Sequence, residues 1–599
     1  TSTQTLSDIT LLGTPVAPSR HGGLNQAVSP AALNSVVHRK VSSALFAFTG
    51  NSLDCTCGGP CPCPSPVASI WGAWGVPQPR GSFWGARQPS GLGQDTGDPV
   101  DFAIGEVTLR KVDLSVPGRG LKWEFARTYR SLIDFIGPLG RNWEFNYHIR
   151  LILDPATGNF TLLDGNARSD VYVRQLDGSY TSPTGFFTHF KVLSGDPLNP
   201  LADPIIAEIG NPHSTRTRFA SVTGGGNTLP ISQVFGRNGN SMRFLYEMAS
   251  LPLSLTKVID TYGRCYVYLY DGLGRIIVVR DYSGREIRLT YDARDDLVRV
   301  TGPAVTGTPE NLNNFPDGKT EGYSYSTGFL DPRLNHNLLS ITAPKEMALA
   351  SPGDPLHLIL PTPPGPPRVQ FVYNASDFCV QQTLGGTNAS GIAAGGTITY
   401  QHIAFAGPRG SVSKVTVTDR NGNVTEYFFN AAGQPLVIRE YTRGLRPGDP
   451  TFYETNHFYN ADGNLIKTVP PEGNETEAVY ATSMDRAQQG NLVELIRRPG
   501  PRGGDQSFRK KTWTYEPVYN LVHAETEERG NDPAFVPQNG GTTSAARFTI
   551  KTTHDYQEGN NLPAMALATG RTQADLSAAQ TAAGIPINLP DQNRLNQVL

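Results

Sequence analysis

The sequence predicts an all-β chain built from stacked hairpins, and three observations carry that prediction. First, a phrase repeats near the middle: DTYGRCYVYLYDGLGRIIVVRD from Asp260 and DYSGREIRLTYDARDDLVRV from Asp281, 21 residues apart. In each copy an Asp opens and a Gly follows three residues later (Gly263, Gly284). A Tyr-Asp pair stands seven residues beyond (Tyr270-Asp271, Tyr291-Asp292). A fixed period of this size marks an architecture that stacks one supersecondary unit. Second, 63 Gly and 47 Pro accompany 49 Tyr plus Phe while only 17% of residues are charged, a balance that favours tight turns and aromatic strands over long helices. Third, apolar and polar residues alternate in runs such as EVTLRKVDLSV and LKWEFARTY, the period of a half-buried strand.

The elements follow in chain order. Residues 1–97 differ from the rest. Ser29 as N-cap and Pro30 at the first helical position precede Leu33, Val36, Val37, Val41 and Leu45, which predicts an amphipathic helix from about Pro30 to Phe48. The cluster Cys55, Cys57, Cys61 and Cys63 comes next, then a Gly/Pro/Trp-rich stretch holding Trp71, Trp74 and Trp84. That stretch has neither helix nor strand period and reads as an ordered loop packed on a larger surface, a plug or attachment segment. From Asp98 to about 230 a β module is expected, with hairpins around Asp164-Gly165-Asn166 and Asp177-Gly178. From 231 to 560 the repeats continue in copies that begin at Arg237, Asp419 (with Gly422), Thr455 and Thr512, with turns at Gly274-Arg275, Gly433 and Gly463-Asn464. Insertions over 301–322, 343–368 and 385–397 break the array and read as Gly/Pro/Ser-rich loops. Residues 561–599 contain TQADLSAAQTAAG, which predicts a short helix before the chain continues into further sequence.

Residues 97–147 (GDPVDFAIGEV, DLSVPGRGLKWEFARTYRS, GPLGRNWEFNY) together with the Gly, Tyr-Asp, Gly-Arg/Asn-Leu repeats resemble the Rhs/YD-repeat family. That family includes bacterial Rhs polymorphic toxins, the cocoon-forming components of Tc toxin complexes and the teneurins. The resemblance covers roughly residues 97–560. It implies that the hairpins wind as a β-sheet spiral into a hollow shell, or part of one. The repeat signature is then Gly263, Tyr270, Asp271, Gly274, Arg275, Gly284, Tyr291, Asp292, Gly422, Gly463 and Asn464, all structural. One hairpin is marginal alone, so each needs neighbours to bury its aromatic face. The family's carboxy-terminal DPxGL-type landmark and its aspartate-dependent self-cleavage site have no counterpart before Leu599. No catalytic residue therefore transfers.

The rest of the sequence narrows the function. A formal net charge of −2 without a basic stripe gives no support for nucleic acid as partner. No run of 18 or more apolar residues exists, so no membrane-spanning helix is expected. The chain opens with Thr1 and no leader, and is expected to be a processed product or a fragment. Metalloprotease, deaminase, nucleophile-elbow, Walker and dinucleotide motifs are all missing. Asp271, Asp292 and Asp462 lie near turns, where Asp caps backbone N–H groups. The Cys55/57/61/63 cluster allows a zinc or soft-metal site or two local disulfides, with free thiols as the third reading. No other cofactor is expected. Two functions lead, with a glycan-processing enzyme built on a paired carboxylate cleft as a third reading. One is a non-enzymatic shell segment of a secreted or surface protein, bacterial by resemblance, that encapsulates or presents a carboxy-terminal effector. The alternative is a cell-surface recognition module binding glycans or a protein partner.

Overall fold

The computed structural model describes residues 99–551 except 102, 167, 214, 237–238, 307–313, 351–366, 386–394, 445, 484, 504–507, 517–519 and 529–546, together with the strand Gln78–Pro79. Its main feature is one antiparallel order of 29 strands from Ile149–Asp154 to Arg547–Lys551, each hydrogen-bonded to the next in sequence. Strands of two to nine residues, many with alternating burial, make this order. Glu286–Tyr291, for example, buries Ile287 and Leu289 and exposes Arg288 and Thr290. Alternation of this kind fixes register, because a one-residue slip would move the whole apolar set to the other face.

The order closes on itself early. Thr228, Leu229 and Pro230 pair with Ile152, Leu151 and Arg150, so the strands from Ile149–Asp154 to Thr228–Phe235 form a ring from which the remaining hairpins run on. The boundary expected at 230/231 falls inside the strand Thr228–Phe235, and the same sheet continues across it.

Ahead of the ring, Val100–Asp101, Glu106–Val116, Trp123–Arg130 and Trp143–Phe145 form a separate four-stranded sheet. Its Trp123, Phe125, Tyr129, Trp143 and Phe145 are buried in one cluster with Tyr266, Tyr268, Tyr323 and Tyr325 of the repeats. Each large ring removes on the order of 150–250 Å² from water, so this joint is the main hydrophobic contact of the amino-terminal sheet. Later hairpins are less covered: every residue of Leu465–Val469, and all but one of Phe452–Tyr459, is half-buried.

Several expectations are corrected or fall elsewhere. The Trp/Pro/Gly-rich stretch, read as lacking strands, contains Gln78–Pro79 paired with Ile133–Asp134. The insertion 343–368 opens with a helix, Pro344–Ala350, not a loop. Pro344 suits the first helical position, and Met347 is buried with its sulfur against Gly322. The hairpin expected around Asp177-Gly178 is present, its turn opened by Gln175 and closed at Gly178. The helix over Pro30–Phe48, the four clustered cysteines, Trp71, Trp74, Trp84 and residues 561–599 lie outside the described residues. Among the described residues no helix is long and apolar enough to cross a membrane.

Candidate functional site

The repeat turn is a five-residue unit opened by Asp or Asn. Asp271 Oδ1 accepts from the backbone N–H of Leu273 and Arg275, both at 2.9 Å, while Oδ2 takes Arg275 Nε at 2.8 Å. Asp281 repeats this with Ser283, Arg285 and Arg285 Nε. Asp419 does so with Asn421, Asn423 and the Asn423 side chain. Asp292 accepts from Arg294 and Asp296, and Asn460 from Asn464, whose side chain is nearly buried. The fourth position needs the left-handed region. Gly263, Gly274, Gly284, Gly422 and Gly463 hold it with φ between 76° and 88°, and Asp295 replaces Gly after Asp292 at φ 68°. Burial works against the Asp281 charge, but the bonds from Ser283 and Arg285 outweigh it and hold this carboxyl below its usual range.

The tyrosine of each unit has a second, long-range task. Nearly every hairpin carries a β-bulge one residue into its returning strand; Tyr270 pairs with Ile276 and Leu269 with Val278, which leaves Ile277 over. The tyrosine of the next hairpin donates its hydroxyl to the carbonyl at that bulge. Tyr291 reaches Ile276 at 2.7 Å, Tyr325 reaches Leu297 at 2.7 Å and Tyr373 reaches Leu338 at 3.0 Å. Tyr459, Tyr480 and Tyr515 do the same to Pro435, Leu465 and Leu492, and Tyr270 reaches Leu255. Burial pushes the Tyr480 and Tyr515 hydroxyls up to about 12, so they stay protonated donors. A bulge disrupts the ladder locally, and a buried carbonyl without a partner is costly. The Tyr in the signature therefore stitches each unit to its predecessor, a role the 21-residue spacing alone did not reveal.

One face of the earlier repeats is sealed by the amino-terminal sheet. Trp123 stacks on Tyr266 at 4.0 Å. Trp143 Nε1 donates to Tyr325 Oη at 2.8 Å, and Tyr129 Oη both donates to the His336 carbonyl and accepts from Leu338 N at 2.9 Å. Backbone bonds cross the joint as well: Ile276 N to Pro138 O, Arg141 N to Asp295 O and Cys379 N to Gly105 O. At the centre lies Arg127, fully buried, forked onto Asp113 at 2.6 and 2.9 Å and 3.4 Å from Glu321, with its guanidinium over the Trp143 and Tyr323 rings. Burial disfavours the Arg127 charge, but Asp113, with Tyr323 and Glu321, raises it well above its ordinary value. Glu321 is held low despite burial by Lys111 and Arg127. A lone tryptophan pair in the sequence gave no sign of this seal.

Among the described residues no group of three or more His, Cys, Asp or Glu could hold a metal ion. Burial pushes the Cys379 thiol up to about 12, far from a reactive thiolate. Asp462, one of the turn carboxylates singled out in the sequence, is engaged by Arg486. One face of the later strands carries cross-strand ion pairs, Lys414–Glu426 at 2.6 Å, Arg439–Glu454 at 2.9 Å and Lys510–Glu494 at 2.6 Å.

A family profile described as RHS Repeat matches residues 270–304, which hold Tyr270, Asp271, Gly274, Arg275, Gly284, Tyr291 and Asp292. A second, described as a domain of unknown function, DUF6531, matches residues 97–172, the amino-terminal sheet and the start of the ring. No curated protein matches the chain. Among solved structures the chain is similar to TcdB2-TccC3-Cdc42, with 11% identity over 75% of this chain and 26% of that one and a TM-score of 0.28. It is also similar to TcdB2-TccC3 (12%, 80% and 29%, TM-score 0.27) and to the Photorhabdus luminescens Tc holotoxin pore (12%, 75% and 26%, TM-score 0.31). The chain thus spans 26% to 29% of the length of these three solved chains.

Proposed function

The chain carries an RHS repeat and belongs to the Rhs/YD-repeat family, and from that premise we propose that it is a wall segment, structural and not catalytic, that encloses or presents a carboxy-terminal effector. The unbroken order of 29 antiparallel strands is the observation that supports this reading most. Each hairpin is bonded to both neighbours, so the sheet presents broad faces and few free edges. The later strands are half-buried, as suits a wall with a solvent side and a cargo side. The amino-terminal sheet seals the earlier repeats, and residues 1–97 are proposed to plug one end or to attach the wall to a delivery partner. Secretion or surface display by a bacterium belongs to the same proposal.

Limited proteolysis of the chain, with a density map of the particle, tests it. Protease resistance around an internal volume is the expected result. A solid β-domain without internal volume refutes the wall. Recognition of a glycan or cell-surface protein is the alternative, with its sequence support in Trp71, Trp74 and Trp84. Binding by this chain alone on a glycan array would favour it.

A further inference from the structure

The strand order is joined a second time at a place where no strand pairing occurs among the described residues. The turn just before the strand His189–Ser194 meets the turn at Asp462 and the short helix Arg486–Gln488, 277 to 300 residues later. Arg486 is the hub. Its guanidinium forks onto Asp462 at 2.9 and 2.5 Å, donates to the Phe186 carbonyl at 3.0 Å and lies 4.7 Å over the Phe187 ring. Gly185 N donates to Asp462 Oδ1 at 3.1 Å, and His189 Nε2 meets Asp485 Oδ1 at 3.0 Å. Gly490 completes the joint: a Cβ there would lie 2.5 Å from the Phe187 ring, so only a bare backbone permits the approach.

We infer that this seam is a gate in the array, the joint that opens and recloses while every strand ladder stays intact. From His189–Ser194 to Glu475–Tyr480 each strand is held to the next by backbone bonds. The seam is held by side chains, with Arg486 and Asp462 26% and 28% exposed. Ion pairs that water and salt can reach contribute weakly, and low-stability joints are where proteins open locally. Opening here separates the turn at 185–189 from the hairpin at 462–490 without costing one ladder bond. The gate rests on the wall reading, since a gate matters only to a wall, but its opening can be measured without cargo.

Hydrogen exchange on the full chain, read by peptide, tests it. Arg486→Ala should raise exchange over 183–190 and 485–491 by about tenfold, the factor for ~1.4 kcal/mol, and leave 265–291 unchanged. Arg486→Lys should fall between, and Gly490→Ala should open the same two segments. Raising salt from low to high on the unmodified chain should move them in the same direction, which keeps the test valid if a variant misfolds. Unchanged exchange at the seam under salt, or a rise spread evenly over the repeats, overturns the gate. If the seam opens as stated but the particle has no internal volume, the wall reading fails and the seam stands as a local hinge.

Discussion

Replacing Tyr325 with Phe removes a single oxygen that serves two buried partners. That hydroxyl donates to the Leu297 carbonyl at 2.7 Å and accepts from Trp143 Nε1 at 2.8 Å, with Trp143 fully buried and Tyr325 nearly so. The variant leaves both groups unpaired. Each orphaned buried group costs about 1–3 kcal/mol, so the loss of two should be about 2–6 kcal/mol. Tyr459→Phe is the matched control: it removes one bond, to Pro435, from a half-buried strand, and should cost about 1 kcal/mol. In a cycle with Trp143→Phe the indole N–H is already gone, so Tyr325→Phe should cost about 1–2 kcal/mol less there. Long repeat arrays lose all-or-none unfolding. Native-state hydrogen exchange over 297–301 and 320–325 is therefore the assay, alongside denaturant midpoints. Equal losses for Tyr325→Phe and Tyr459→Phe, or a cycle with no coupling, would refute the reasoning that the tyrosine stitches two layers.

Further expectations concern charge, backbone and pH. Arg127→Met leaves Asp113 and Glu321 facing buried rings and should destabilise by about 3–5 kcal/mol, seen as a lowered denaturant midpoint. Gly284→Ala, at φ 88° with open space around the added carbon, should cost only the left-handed backbone penalty of about 1–2 kcal/mol. Gly140→Ala should cost distinctly more, because its Cβ would stand 2.2 Å from the Asp295 carbonyl oxygen. The thermal midpoints of the two variants should rank in that order. Burial, reinforced by Arg409, lowers His457 to about 4. A depressed histidine is neutral in the fold, so its contribution is whole above the unfolded value of about 6.5 and is lost as pH falls towards 4. The loss should reach up to about 3 kcal/mol at about 1.36 kcal/mol per pH unit; His457→Gln should flatten the acid limb of the stability profile, and an unchanged limb contradicts the assignment. For Cys55, Cys57, Cys61 and Cys63, bound metal predicts thiols that titrate only after chelation, whereas two disulfides predict thiols that appear only after reduction.

The hairpin array was legible because its signals are local. Asp opening a turn, Gly three residues on and an alternating strand after it are each decided within a dozen residues, and the turn bonds of Asp271, Asp281 and Asp419 follow that plan. The helix Pro344–Ala350 was masked by the Gly/Pro-rich text around it, although Pro344 and Met347 carry its start and its buried contact. Tyr325 with Trp143, Arg127 with Glu321 and Arg486 with Phe186 were invisible for another reason: their partners stand 182, 194 and 300 residues apart.

By itself, the sequence determined that this protein is an array of aromatic hairpins, because strand period, turn chemistry and repeat length are properties of neighbouring residues. Tertiary structure alone decided how the array is held: which bulge carbonyl each tyrosine caps, which repeats the amino-terminal sheet seals and where Arg486 brings the order back to the turn at 185–189. Those are meetings of surfaces distant in the chain. They depend on the accumulated curvature and register of many strands, and no single repeat encodes that sum.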